Sequence, residues 1–355
     1  MIRFIHIADV HLGASPEVGS ACEEVRSKEL WETFSRVLDL CNEKQIDVLL
    51  IAGDLFHSQP LLKELKEVDY LFSKLEVTKV VLIAGNHDHM KGTSFYHSFS
   101  WSPNVTMLKS SDFESVDFKE LKLRVSGFSY HERKIYTPEL LRVEVPKGEG
   151  YNILLAHGGD ASHIPFDKET LMQLKFDYIA LGHFHRPEIL IENKAAFAGA
   201  LEPSGRGDMG AHGYIEGTID DAGVHIFFVP FAKREYISLE VMVRQGMTGY
   251  EMKEKVAEEI AKSGAQNIYK VTLKGFRSEK NVPDLSSFFS IGNIIEIMDD
   301  TRPFYDFKKL METNKTNIIG KFIREFIAYP EGSIEYEAMV QGVEALMASR
   351  VISGE

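Results

Sequence analysis

Three short apolar runs separated by two helical periodicities constrain this chain more than anything else in it. IRFIHIA at 2–8, DVLLIA at 47–52 and KVVLIA at 79–84 read as strands. The last two are apolar throughout after their first residue, as in strands covered on both faces. Between the first two, residues 28–44 place Leu30, Trp31, Phe34, Val37, Leu38 and Cys41 on one helical stripe, with Cys41 on its buried face. Residues 61–75 repeat that periodicity before the third run. A β-α-β-α-β order implies parallel strands joined by right-handed crossovers.

Beyond residue 104 the pattern changes to strand-like pieces, VTML and LRVSGF, then two buried runs, NILLA at 152–156 and DYIAL at 177–181. ILIEN, AAFAGAL, GYIEGTI and VHIFFVP follow, separated by Gly, Asn and Asp turns. The expected architecture is an α/β fold, a two-sheet β-sandwich flanked by helices that ends near Pro230. A second module starts near Tyr236, with strands ISLEVMV, IYKVTLKGF and NIIEIMD around the amphipathic helix EMKEKVAEEIAK. IIGKFIREFIA and IEYEAMVQGVEALMAS read as C-terminal helices, with Ser333 as N-cap of the second. The domains expected are 1–232, 233–302 as a small α/β module, and 303–355 as a helical segment.

Polar residues fall where the strands stop. The buried runs end in Asp9-Val10-His11, in Gly53-Asp54-Leu55-Phe56-His57, in Gly85-Asn86-His87-Asp88, in His157-Gly158 and in Gly182-His183-Phe184-His185. Open α/β sheets bind ligands at the carboxyl ends of their strands, so five strands deliver one acidic, imidazole-rich cluster to one edge. Carboxylates, imidazoles and one amide oxygen, without thiolate, suit Mn, Fe, Zn or Ni. Seven such residues exceed one ion's needs and fit two ions sharing a carboxylate. Two ions about 3.5–4 Å apart activate a water and clamp the oxygens of an in-line phosphoryl displacement. Phosphoester hydrolysis is the chemistry expected.

In this order the five blocks resemble the calcineurin-like metallophosphoesterases, and the Gly-Asp-Leu-Phe-His block resembles the SbcD-type nucleases of DNA double-strand-break repair. Protein phosphatases of that superfamily usually carry Gly-Asp-x-Val-Asp-Arg-Gly there instead. The resemblance implies that Asp9, His11 and His185 hold one metal, that Asn86, His157 and His183 hold the other, and that Asp54 bridges them. It implies His87 as the catalytic imidazole and His57 as a second one facing substrate phosphate. It further implies two divalent ions, Mn first with Fe, Zn, Ni or Mg as alternatives, and 3′-to-5′ exonuclease activity with some single-strand endonuclease activity. A coiled-coil ABC-type ATPase of the SbcC type is the implied partner, docked by the C-terminal helices. The small module becomes a cap governing access of DNA, and a homodimer is implied. Where related nucleases tend to have Pro-Gly-Ser, this chain has Ala198-Gly199-Ala200.

Charge and composition bound these expectations. Forty basic against fifty-three acidic residues give a net charge of −13, which argues against one broad basic surface. Arg206 reads either as a phosphate contact or as a solvated loop arginine, and the stretch 302–328, with six basic and three acidic residues, as a solvated helix face first and a DNA or partner contact second. Two cysteines, Cys22 and Cys41, make no disulfide framework and fit a reducing compartment. No membrane span or signal peptide is expected, so the expected location is the cytoplasm. The seven histidines outside the blocks, among them His6, His89, His163 and His212, read as ordinary structural or surface residues. Two other readings stand beside the nuclease: a metallophosphoesterase acting on a small molecule, nucleotide or phosphoprotein, and an inactive scaffold on the same fold, which the intact ligand positions disfavour.

Overall fold

The computed structural model describes residues 1–16, 23–145, 148–278 and 281–353. Cys22 lies outside the described residues. Two compact units divide the chain, Met1–Tyr236 and Ile237–Glu355.

The first unit begins as its periodicity requires, with β1 (Ile2–Ile7), α1 (Glu23–Glu43), β2 (Val48–Ala52), α2 (Leu62–Phe72) and β3 (Lys79–Ile83). Next come β4 (Val105–Met107), β5 (Glu114–Phe118), β6 (Leu123–Gly127), β7 (Tyr151–His157), α3 (Lys168–Gln173) and β8 (Tyr178–Gly182). It closes with β9 (Glu188–Ile191), β10 (Ala195–Phe197), β11 (Gly213–Asp220) and β12 (Gly223–Pro230). Two six-stranded sheets result, ordered β12-β11-β1-β2-β3-β4 and β5-β6-β7-β8-β10-β9. The strands β1 to β4 run parallel, as do β6, β7 and β8, while β11 returns antiparallel to β1.

Alternation along β1 and β2 explains the layering. Ile5, Ile7, Leu49 and Ile51 face Phe34, Val37, Leu65 and Val68 of the helices. Phe4, Val48 and Leu50 face the second sheet's Ile153, Leu155, Tyr178 and Ala180. The far side of the second sheet, Leu154, Ile179 and Leu181, is covered by Leu140, Leu171 and Phe176. His6 points between the sheets, where its Nδ1 meets the Tyr178 hydroxyl at 2.9 Å and burial pushes its pKa down to about 3. It is a neutral core residue, as the sequence suggested. Cys41 is buried, and burial pushes its thiol up to about 12.

In the second unit, β13 (Tyr236–Val243), α4 (Gly249–Ser263), β14 (Ile268–Arg277) and β15 (Ile294–Pro303) form a three-stranded sheet and its covering helix. A capping box starts α4, with Thr248 and Glu251 each accepting from the other's backbone amide, and Met252, Val256 and Ile260 are its buried face. The helices α5 (Phe307–Thr313), α6 (Ile318–Phe326) and α7 (Ile334–Ser353) enclose a separate core around Ile319, Ile323, Met339 and Val343. Ser333 caps α7, its Oγ accepting from the Tyr336 amide at 3.1 Å. In the basic stretch Arg302 pairs with Glu337 at 3.3 Å, and Lys308, Lys309, Lys315, Lys321 and Arg324 are exposed. Among the described residues, no helix is long and apolar enough to cross a membrane.

The inter-sheet core has little slack at Gly217 of β11. A Cβ there would overlap the ring of Phe4, which is fully buried and rests on Tyr178 at 4.9 Å between centroids. Gly217→Ala should therefore destabilise the first unit by about 1–3 kcal/mol, the usual cost of overpacking. A lowered urea midpoint checks this; an unchanged midpoint would mean that Phe4 moves aside freely.

Candidate metal centre

All the strands that the sequence marked with ligand-type residues stop at one edge, and their loops are laced together. The amides of Asp9 and His11 donate to the carbonyls of Gly53 and Asp54, each at 3.1 Å. Gly158 donates to Gly182 at 3.1 Å, and the His183 amide donates to Asp9 Oδ2 at 2.9 Å. The turns are tight enough that Asp9, His11, Asp54 and His183 all take positive φ, between 49° and 102°. Such backbone strain at non-glycine residues persists only where surroundings over-determine it, and it clusters at functional sites. Glycine is obligatory beside them: a Cβ on Gly53 would strike the His157 ring, and one on Gly85 would strike the Asp54 carboxylate.

The side chains form two adjoining groups. Ligand atoms of Asp9, His11 and His185 lie within 4.8 Å of one another, and the Nε2 atoms of His11 and His185 are 3.0 Å apart. On the other side, Asn86 Oδ1 is 2.9 Å from His157 Nε2 and 3.1 Å from His183 Nδ1. Asp54 lies between, its Oδ2 3.4 Å from His157 and 4.0 Å from His11. The seven residues named from sequence are thus brought together at one edge of the sheets. His57 and His87 stand next to His11, with ring centroids 5.3 and 4.9 Å away. His87 Nδ1 meets the His57 carbonyl at 3.0 Å, and its amide donates to Asp54 Oδ1 at 2.9 Å.

Two carboxylates that sequence reasoning passed over hold ligand imidazoles from behind. Asp160 Oδ2 accepts from His183 Nε2 at 2.8 Å, while its Oδ1 faces His163 Nδ1 at 2.9 Å. His163, read as ordinary from sequence, therefore belongs to the surroundings of the site. The spacing His157-Gly-Gly-Asp160-x-x-His163 is the signal that could have found both. Asp208 Oδ2 accepts from His185 Nδ1 at 3.1 Å and from the Ser204 amide and hydroxyl, each at 2.8 Å. No ligand motif marks Asp208 in the sequence. Arg206 is an exposed residue of that same loop. At the departure from the related pattern, the Ala200 amide donates to the His185 carbonyl at 2.8 Å. His89 Nδ1 contacts the Asn86 carbonyl at 3.1 Å, and His212 Nδ1 that of Gly210 at 3.0 Å.

The electrostatics are those of a site for cations. Burial raises Asp9; it would raise Asp54 too, but His157 and His11 hold Asp54 well below the usual carboxylate range. Burial alone would depress His157 and His185. Asp54 at the first, and Asp208 and Asp9 at the second, outweigh it, and both are pushed up to about 9. His11 and His183 go down, to about 3 and about 4, chiefly through burial. Asp9 Oδ1 and His11 Nδ1 are buried without a hydrogen-bond partner. Unpaired buried carboxylate oxygen, together with imidazole nitrogens aimed at one another instead of at donors, fits divalent ions. Asp9, His11 and His185 would hold one, Asn86, His157 and His183 the other, with Asp54 reaching both.

A hydrogen-bonded carboxylate behind a ligand histidine typically contributes 10–100-fold in metal affinity. Asp208→Ala and Asp160→Ala should each weaken retention of one metal equivalent by about that factor. Asp208→Asn, whose amide oxygen can still accept from Nδ1–H, should retain more. Chelator competition with elemental analysis measures this, and unchanged affinity in both Ala variants would remove these carboxylates from the site.

A profile of the calcineurin-like phosphoesterase family matches residues 2–187, more than half of the chain. The chain is 26% identical over 302 residues to a Bacillus subtilis (strain 168) protein described as the uncharacterized metallophosphoesterase YhaO, covering 78% of this chain and 73% of that one. It is 29% identical over 213 residues to the DNA double-strand break repair protein Mre11 of Methanocaldococcus jannaschii, covering 57% of each. The second match thus spans little more than half of the archaeal protein's length. With two mixed sheets flanked by helices and a paired His/Asp cluster at their shared edge, the chain belongs to the calcineurin-like phosphoesterase family, a family of two-metal hydrolases of phosphoesters.

Proposed function

We propose that this chain is a DNA phosphodiesterase of double-strand-break repair, a 3′-to-5′ exonuclease with some single-strand endonuclease activity. The observation that carries the reading is the sidedness of the site. Asp9, Asp54, His11 and His157 are buried, whereas His57 is exposed and His87 half-buried beside them. A bulky phosphodiester can therefore reach two imidazoles without entering a closed pocket. The Gly53–His57 block and the similarity to the Mre11 protein support DNA as that diester.

Bound divalent ions, with manganese first in this reading, would supply charge for the phosphate oxygens and the attacking water. The chain's own residues do the remainder. Asp54 and Asp9 fix the charge balance of the dry edge. The His57 carbonyl accepts from His87 Nδ1–H and so orients the ring, and in the imidazolium form the Nε2 proton would pass to the leaving oxygen. His57 faces the substrate phosphate. The reading includes a cytoplasmic enzyme working as a homodimer with a coiled-coil ABC-type ATPase of the SbcC type, bound through α6 and α7, and with the second unit governing access of DNA. The net charge of −13 favours a second reading, hydrolysis of a small phosphoester, a nucleotide or a phosphoprotein.

End-labelled linear DNA should be shortened from its 3′ ends in Mn²⁺ and remain intact in EDTA. Hydrolysis of a generic phosphodiester with no attack on DNA would select the second reading. Asp54→Ala should lose at least one metal and all hydrolysis; two metals retained by that variant would refute the bridging role. His87→Ala should keep both metals while its rate falls by about 10²–10⁴-fold, the scale of a lost general acid. Metal loss in parallel with activity would instead make His87 a ligand.

A further inference from the structure

Beside the metal centre the first unit carries a cavity of about 340 Å³ that none of the roles above uses. Its aromatic walls are Phe166, Phe184 and Phe197. Phe166 and Phe197 are nearly parallel, 11° apart, and Phe184 stands edge-on to Phe197 with centroids 5.0 Å apart. Gly159 lets the three rings close in on one point: a Cβ there, at φ +126°, would lie 3.0 to 3.4 Å from all three. The cavity adjoins the metal-binding segments directly. Gly159 is two residues beyond His157, and Phe184 lies between His183 and His185, its ring 5.3 Å from that of His183. Phe184 is nonetheless 41% exposed. Leaving a phenyl ring partly in water forgoes burial free energy of about 25 cal/mol per Å², so the core alone does not account for it.

The polar surroundings narrow the occupant. Lys168 and Arg186 also line the cavity and are exposed, and neither has an ion pair among the described residues. Of the two acids present, Asp167 is engaged by the amide and hydroxyl of Thr170, at 2.8 and 2.6 Å, and Glu188 is exposed. Flat aromatic faces with an exposed arginine and lysine at hand match a planar heterocycle joined to phosphates, and base–aromatic stacking tolerates any base. A cavity of about 150 Å³ already admits benzene, so this one accommodates a bicyclic purine. We propose that the cavity is a nucleobase subsite: it takes a base of the strand whose phosphodiester lies at the Asp9–Asp54 centre, stacked on Phe184, with Arg186 and Lys168 on the flanking phosphates. This rests on the reading that the substrate is nucleic acid.

Equilibrium binding tests it without turnover. A single-stranded oligodeoxynucleotide carrying 2-aminopurine, whose emission falls on stacking, is titrated with the full-length protein in EDTA at low salt. Saturable quenching is expected for the wild type, with affinity weakened about tenfold or more in Phe184→Ala and restored in Phe184→Trp. Equal affinity of wild type and Phe184→Ala overturns the proposal, as does absence of quenching in the wild type. In a parallel assay with Mn²⁺, the wild type should cleave an intact strand faster than one with an abasic site at the terminal nucleotide, and Phe184→Ala should lose that preference. A wild type that cuts DNA while ignoring the abasic site overturns the subsite alone. A wild type that quenches 2-aminopurine but cuts no DNA leaves the subsite standing for nucleotides and defeats the nuclease reading.

Discussion

Two carboxylates and several imidazoles are held out of water at the end of two stacked sheets, and the first unit is organised around making that tolerable. Taking a charge out of water costs several kcal/mol even after relaxation. Asp9 and Asp54 are each 1% exposed and, with His157, place ligand atoms within 4.8 Å of one another. Protons answer this only in part, which is why some of the imidazoles hold theirs strongly and others hardly at all. Divalent cations answer it better, because each brings two positive charges to one point. The strained turns, the glycines with no room for a side chain and the carboxylates behind the histidines all serve the same convergence.

The support of the site is unequal on its two sides. His183 depends on Asp160, which lies in the loop after β7 and also engages His163. His185 depends on Asp208, which belongs to a segment tied much further back. Glu202, six residues before Asp208, is buried and accepts from Thr33 at 2.6 Å and from Arg26 at 3.1 Å, and Arg26 also bonds Glu29 at 2.6 Å. That group fastens α1 to the strand end that leads into the Ser204–Asp208 loop. One side of the centre is thus anchored in the second sheet, the other in the first helix.

What was legible in the sequence was what periodicity and strand ends encode. Val48–Ala52 and Lys79–Ile83 could hardly be anything but covered strands, and residues that follow such strands must emerge at a common edge. The nine candidate residues could therefore be placed at one edge without coordinates. Less legible were elements with little periodicity of their own: Glu114–Phe118 is a half-exposed edge strand, and α3 and α5 are too short to show a stripe. Asp160 and Asp208 stayed hidden for another reason. A residue that works by accepting a hydrogen bond from a ligand needs no motif, only a place, and that place is set by how loops 23 residues apart in the chain meet. His163 looked ordinary because its partner Asp160, three residues before it, was itself not read as part of the site.

The spread of the cluster along the chain bears on how this unit assembles. Its members run from Asp9 to His185 and come from both sheets, so the loop that must close to unite them is most of the first unit. Contacts of such long range form late, after the entropy of closing the chain has been met by hydrophobic pairing. The complete cluster is therefore absent until both sheets are in place, unlike in small zinc modules that are unfolded without their ion. A metal binds the finished sandwich and adds RT ln(1 + [M]/Kd) to the stability of the whole unit at once. Occupancy becomes a proofreading mark: a chain with either sheet misassembled carries no complete cluster, and so has no means of turning a hydrolytic centre loose before its fold is sound.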